Sequence, residues 1–168
     1  MKIQFEDFII KNGRKKPVNL SLNLEPLNFE GEVIDIFEPV KVEGEVYSQE
    51  GVVILNASIK TELKMHCSRC LDTFIYPIDI DIEERFTNNN ELENEEVIFV
   101  EGDSLDIPLI VENSIISTLP IKRLCKEECK GLCTTCGKNM NIEKCNCDDY
   151  EVDIRLAKLK ELFGNKEV

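Results

Sequence analysis

From Val53 to Phe86 the chain alternates apolar and polar residues with a period of two over most of its length, on either side of a short turn that carries two cysteines. The odd positions read Val53, Leu55, Ala57, Ile59, Thr61, Leu63 and Met65, against Asn56, Ser58, Lys60, Glu62 and Lys64. After the turn the phase passes to Phe74, Tyr76, Ile78, Ile80, Ile82 and Phe86, opposed by Asp79, Asp81, Glu83 and Arg85. Successive side chains of a strand point to opposite faces, so the pattern predicts a long antiparallel hairpin with one face in a core and the other in water.

Shorter alternations precede it at Leu20, Leu22 and Leu24, at Glu32 to Phe37, and at Val40, Val42 and Val46, with Ser48-Gln49-Glu50-Gly51 as a turn. Downstream, Val97 to Val100 reads as a short strand. Asp106 to Leu119 carries apolar residues at 107, 110, 111 and 115 and again at 109, 116 and 119. That stripe predicts a helix capped by Asp106, with Pro108 in its first turn and Pro120 ending it; a buried strand is the alternative. Asp153 begins a last helix whose Leu156, Leu159, Leu162 and Phe163 share a face, stopped by Gly164. The expected fold class is α+β: an antiparallel β meander or open barrel, then a helix, a Cys-rich zinc-binding segment and a C-terminal helix. Residues 1–120 form a β-rich domain, and residues 121–168 hold the Cys-rich segment and the last helix.

Eight cysteines occur in 168 residues. They fall at Cys67-x2-Cys70, then at Cys125, Cys129, Cys133, Cys136, Cys145 and Cys147. No charged-then-apolar leader opens the chain and no apolar run is long enough to span a bilayer, so a reducing cytoplasm is expected, where such clusters hold metal more readily than disulfides. Four thiolates bind zinc tetrahedrally, and Gly137 permits the positive φ that folds a Cys133-Thr134-Thr135-Cys136 knuckle over an ion. Two zinc ions are expected. Short loops favour Cys133, Cys136, Cys145 and Cys147 as one set and Cys67, Cys70, Cys125 and Cys129 as the other; the alternative joins Cys67 and Cys70 to Cys133 and Cys136. An all-cysteine site is closed and structural rather than catalytic. His66, the one histidine, lies next to Cys67 in a strand and so points to the other face, which disfavours a Cys-His pair; it reads as an exposed strand residue, with zinc ligation as the alternative. No catalytic residue is singled out, and the expectation is a protein that is not an enzyme.

The net charge of −13 excludes a surface that coats phosphates indiscriminately. The charge is uneven: residues 67–118 hold two basic against thirteen acidic side chains, whereas residues 119–147 hold six basic against three acidic. The first stretch reads as the solvated face of the hairpin, through Asp79, Asp81, Glu83 and Glu84, followed by a polar loop. In the second, Lys122, Arg123, Lys126, Lys130 and Lys138 are candidate phosphate contacts, with Arg14, Lys15 and Lys16 as a further basic group. The competing reading is that lysines there offset thiolate charge.

Cys67-Ser68-Arg69-Cys70-Leu71, Leu119-Pro120, the run from Leu124 to Asn139, Cys145-Asn146-Cys147 and the stretch from Asp153 to Leu159 together resemble the bacterial YceD family. Ile154 departs from the pattern, since relatives tend to carry Pro before Arg-Leu. The resemblance implies a non-enzymatic ribosome biogenesis factor that supports accumulation of large-subunit (23S) ribosomal RNA, with zinc on the cysteines named above. Its expected partner is ribosomal RNA or the pre-ribosomal large subunit. The alternative is an acidic adaptor or chaperone for a basic ribosomal protein.

Overall fold

The computed structural model describes residues 2–5, 8, 15–29, 31–92, 94–102 and 104–147. The expected C-terminal helix from Asp153, and Arg14, lie outside them. The chain divides into two compact units, one of Met1–Cys67 with Asp72–Cys125, the other of Ser68–Leu71 with the chain from Lys126 onward.

In the first unit the strands are β1 (Lys2–Gln4), β2 (Lys15–Leu22), β3 (Leu27–Phe29), β4 (Glu32–Ile36), β5 (Val40–Gln49), β6 (Val52–His66), β7 (Thr73–Thr87), β8 (Ile98–Phe99) and β9 (Ser104–Asp106). The α-helix of the described residues, α1 (Ile107–Thr118), follows. The long hairpin expected from the alternation is β6–β7, paired without interruption from Val53↔Phe86 to His66↔Thr73. On the other side of β6 lie β5 and, at its far end, the tip of β4. Strand β2 pairs with β5, β3 with β4, and β8 pairs in parallel with β7. No pairing closes this sheet among the described residues, so the choice between meander and barrel resolves to an open sheet. Strands β1 and β9 form a separate two-stranded ribbon.

The odd residues of β6, from Val53 to Met65, are buried throughout. Phe5, Phe8, Ile3 and Leu105 join them in one core with Ile107, Val111 and Ile115 of α1. These helix positions are four residues apart, so they share one face. Asp106 occupies the N-cap position without a side-chain capping bond, Pro108 sits in the first turn, and Leu119 is extended before Pro120. The β5–β6 turn is tighter than expected. Only Glu50 and Gly51 form it, both at positive φ, as a type I′ hairpin turn requires, and Ser48 and Gln49 remain in the strand. Asp79, Asp81 and Glu83 are exposed as expected, but Glu84 falls on the opposite side of the strand and is half-buried.

Candidate metal centre

The hairpin tip is closed by the Cys67 amide, which donates to the Asp72 carbonyl at 2.9 Å. Within the second unit, Arg69 of the tip is tied to the Cys-rich segment. Its Nη1 donates to the Cys129 carbonyl at 2.8 Å, and its own carbonyl accepts from the Leu132 amide at 3.1 Å. Gly131, at φ +74°, lies against Arg69 so closely that a Cβ there would stand 3.0 Å from the Arg69 carbonyl oxygen. The glycine is needed for both reasons at once.

Past Gly131 the chain turns back on itself. The Cys133 amide donates to Lys138 O at 2.8 Å, the Gly137 amide to Cys133 O at 2.9 Å and the Met140 amide to Gly131 O at 2.9 Å. This is the expected knuckle, with Gly137 at φ +73°. Asn141, which sequence reasoning did not single out, bonds to the chain on either side of the knuckle. Its Oδ1 accepts from the Lys130 amide at 2.9 Å, and its Nδ2 donates to Cys129 Sγ at 3.3 Å and to Asn139 Oδ1 at 2.9 Å. The nearest sequence signal was the polar cluster Lys138-Asn139-Met140-Asn141 after Gly137.

The eight sulfurs fall into two quartets, Cys67, Cys70, Cys125 and Cys129, and Cys133, Cys136, Cys145 and Cys147, each with its ligand atoms within 4.8 Å of one another. This is the grouping that the shorter loops favour. A tetrahedron with bonds of about 2.3 Å has edges of about 3.8 Å, so an upper bound of 4.8 Å leaves room for a tetrathiolate zinc site in both quartets. His66 belongs to neither. Its side chain is 57% exposed, and its Nδ1 lies 3.3 Å from Glu32 Oε1.

The second quartet shows what four sulfurs do to one another. The Cys136 and Thr135 amides hydrogen-bond to Cys133 and, with the Cys145 side chain, bring its thiol down to about 6. Cys147 is pushed up to about 12 by its hydrogen bond with the Cys136 sulfur, by burial and by Cys145. For Cys145 the Cys147 amide acts downward, but the Cys133 sulfur and burial outweigh it and the thiol is raised. One sulfur is thus prepared as a thiolate while two neighbours hold protons, because four adjacent negative charges are unfavourable until a divalent cation replaces those protons. The donor set fits a soft, tetrahedral ion and leaves no position for a reacting water.

Lys122, Lys126, Lys130 and Lys138 are exposed. Lys138 Nζ lies 3.2 Å from Glu143 Oε2. Arg123 is placed differently from the lysines with which the sequence grouped it. Only 12% of its side chain is exposed, its Nη1 is 3.1 Å from Glu32 Oε2, and its guanidinium lies 5.6 Å from the centre of the Phe29 ring. It is committed to the first unit's own packing rather than presented to a ligand. Among the described residues no helix is long and apolar enough to cross a membrane.

Residues 55–163 match the family described as large ribosomal RNA subunit accumulation protein YceD. The chain is 32% identical to the uncharacterized protein YlbN of Bacillus subtilis, over 74% of each chain. It is 25% identical to an uncharacterized protein of Mycobacterium tuberculosis, over 88% of this chain and 70% of that one. It is 26% identical to the Arabidopsis thaliana protein named large ribosomal RNA subunit accumulation protein YCED homolog 1, chloroplastic, over 77% of this chain and 51% of that one. No solved structure gives a significant match.

Proposed function

The chain belongs to the YceD family, and from that premise we propose that it is a non-catalytic factor of the cytoplasm that supports accumulation of large-subunit ribosomal RNA, with two structural zinc ions holding its Cys-rich unit in shape. The observation that carries the non-catalytic part is the pair of closed quartets. Every donor is a cysteine sulfur, and an all-thiolate tetrahedron has no open coordination position. Lys122, Lys126, Lys130 and Lys138 are the RNA-contacting cations in this reading. Their exposure leaves them available, and the pair between Lys138 and Glu143 is a surface contact that a phosphate can displace at little cost. A second reading, an adaptor for a basic ribosomal protein, is favoured by the exposed carboxylates Asp79, Asp81 and Glu83 along β7.

The test is to deplete the protein in its host and measure the ratio of large- to small-subunit ribosomal RNA, with complementation by the parent chain and by a variant in which Lys126, Lys130 and Lys138 are glutamine. Depletion lowers the ratio, and the parent restores it. The lysine variant keeps two zinc ions by elemental analysis but loses crosslinks to the RNA. An unchanged ratio refutes the function, and unchanged crosslinks refute the lysine contact.

A further inference from the structure

Strand β7 runs for 15 residues, and β8 covers its outer side only at Phe86 and Thr87. Among the described residues no strand pairs with that side from Thr73 to Arg85. The direction of the backbone along this edge follows from two observations. The Thr87 carbonyl accepts from the Val100 amide at 2.9 Å, on the side away from β6. The β6–β7 ladder is unbroken, so every second residue from Thr87 presents its backbone outward in the same way: Arg85, Glu83, Asp81, Asp79 and Pro77. Pro77 fits this phase, because a residue without an amide hydrogen costs the ladder nothing there.

The side chains of this edge are of two kinds. Asp79, Asp81 and Glu83 are exposed on one face, while Phe74, Tyr76, Ile80 and Ile82 are half-buried on the other, packed against the core. Two copies pairing antiparallel through this edge about Asp81 would set Asp81 against Asp81 and Asp79 against Glu83, and like charges directly opposite are destabilising. A strand of the opposite pattern gains on both faces, with Lys or Arg beside the carboxylates and Ile, Val or Leu beside Ile80 and Ile82. The ion pairs from Lys60 to Asp79 at 3.0 Å and from Arg85 to Glu83 at 2.9 Å lie on the surface, and an incoming cation can replace them at little cost.

We propose that the outer edge of β7 from Asp79 to Glu83 accepts an extended segment of another protein, with basic and apolar residues in alternation, as an added strand. The inference deepens the adaptor reading and does not depend on the RNA contact. Main-chain bonds hold the segment, and the three carboxylates choose its charge.

The probe is a capped heptapeptide alternating lysine with isoleucine or valine, added to the full, metal-loaded chain. Its control is the same peptide N-methylated at alternate residues, which keeps the charge and removes the edge's partners. At saturation the amides of Asp79, Asp81 and Glu83 are expected to gain about tenfold or more protection from hydrogen exchange, while those of Ile80 and Ile82, already in the β6 ladder, stay as they were. The methylated peptide does not bind. The variant with Asp79→Asn, Asp81→Asn and Glu83→Gln binds at least about tenfold more weakly. Asp81→Pro, which copies the tolerated Pro77 and removes one outward donor, weakens binding with the fold unchanged. Equal binding of the methylated peptide, or protection elsewhere, overturns the proposal. So does protection of the same amides by concentration-dependent self-association without peptide, which assigns the edge to a second copy. An unchanged ribosomal RNA ratio on depletion rejects the RNA function alone and leaves this peptide measurement standing.

Discussion

Gly131 and Gly137 offer a matched pair of substitutions that separates backbone strain from packing. Both sit at nearly the same positive φ, +74° and +73°. A Cβ at Gly137 meets nothing within 4 Å, whereas one at Gly131 stands 3.0 Å from Arg69 O and 3.3 Å from Arg69 Cβ. Gly137→Ala therefore incurs only the left-handed penalty of an L-residue, about 1–2 kcal/mol. Gly131→Ala incurs the same penalty and must also move the Arg69 backbone, an overpacking cost of about 1–3 kcal/mol more. The displaced carbonyl is the one that accepts from the Leu132 amide at 3.1 Å, so the knuckle loses its attachment to the hairpin tip. Exchange of the Leu132, Cys133 and Met140 amides reads the local opening free energy directly. At about 1.4 kcal/mol per decade, Gly137→Ala lowers protection about tenfold and Gly131→Ala about a hundredfold to a thousandfold. Asn tolerates the left-handed region, so Gly137→Asn recovers most of the loss and Gly131→Asn does not. Equal losses at the two positions, or recovery by Asn at both, would refute the role given to the Arg69 contact.

Gly44→Ala is expected to prevent stable folding, since its Cβ would lie 2.1 Å from Asn56 O and 2.5 Å from Ala57 Cα, and separating β5 from β6 costs at least about 3 kcal/mol; a thermal melt by circular dichroism checks it, and Ala57→Gly does not rescue it because the first clashes are with backbone. Asn141→Ala removes the bonds to the Lys130 amide and to Cys129 Sγ and weakens retention of one metal ion about tenfold to a hundredfold in competition with a chelator, although no ligand is lost. Metal uptake by the second quartet rises with pH. Cys133 near 6 is already ionised at neutral pH, while Cys147 near 12 and the raised Cys145 must each give up a proton, so apparent affinity climbs at least about two decades per unit between pH 7 and 8 and falls as the solution is acidified; a slope below two refutes that assignment.

The β6–β7 hairpin was legible because two residue-level signals agree over most of its length: apolar residues at every second position, with Thr61 and Glu84 as the exceptions, and a turn whose cysteines interrupt the alternation. The helix was legible from the stripe at Ile107, Val111 and Ile115 and from the prolines at its ends. Elements that depend on distant partners were not. Strands β1 and β9 have three residues each, too short for periodicity, and they exist because Ile3 and Leu105 are both buried in one core. The position of β4 beside β6, through Asp35↔Lys64 and Ile36↔Leu63, is set by which edge remains open once β5 has taken most of it. No local pattern carries that information. Gly44 carries no sequence signal of its own, and the structure shows it as the residue that lets β5 approach Asn56 and Ala57.

In the Cys-rich segment, spacing along the chain was informative wherever the chemistry is local. Cys133, Cys136, Cys145 and Cys147 meet because the loops between them are short, and the amides of Thr135 and Cys136 reach Cys133 for the same reason. Charge was less informative, because a cation's neighbour in sequence is not its neighbour in space. Arg123 stands among lysines in the chain, yet its partners are Glu32 and Phe29 from strands far upstream. Lys138 keeps an ambiguous position for a physical reason. Glu143 raises its pKa first, by hydrogen bond and charge, and Cys136 and Cys145 add to the effect. The same lysine therefore balances a carboxylate and the thiolate site while remaining exposed. With two divalent ions bound, eight thiolates would leave a formal excess of four negative charges, and Lys138 lies close enough to Cys136 and Cys145 to feel it. A phosphate that approaches Lys138 must therefore compete for it with the Glu143 carboxylate and with those thiolates. That competition limits non-specific binding and makes any RNA contact here depend on the bound metal and on salt.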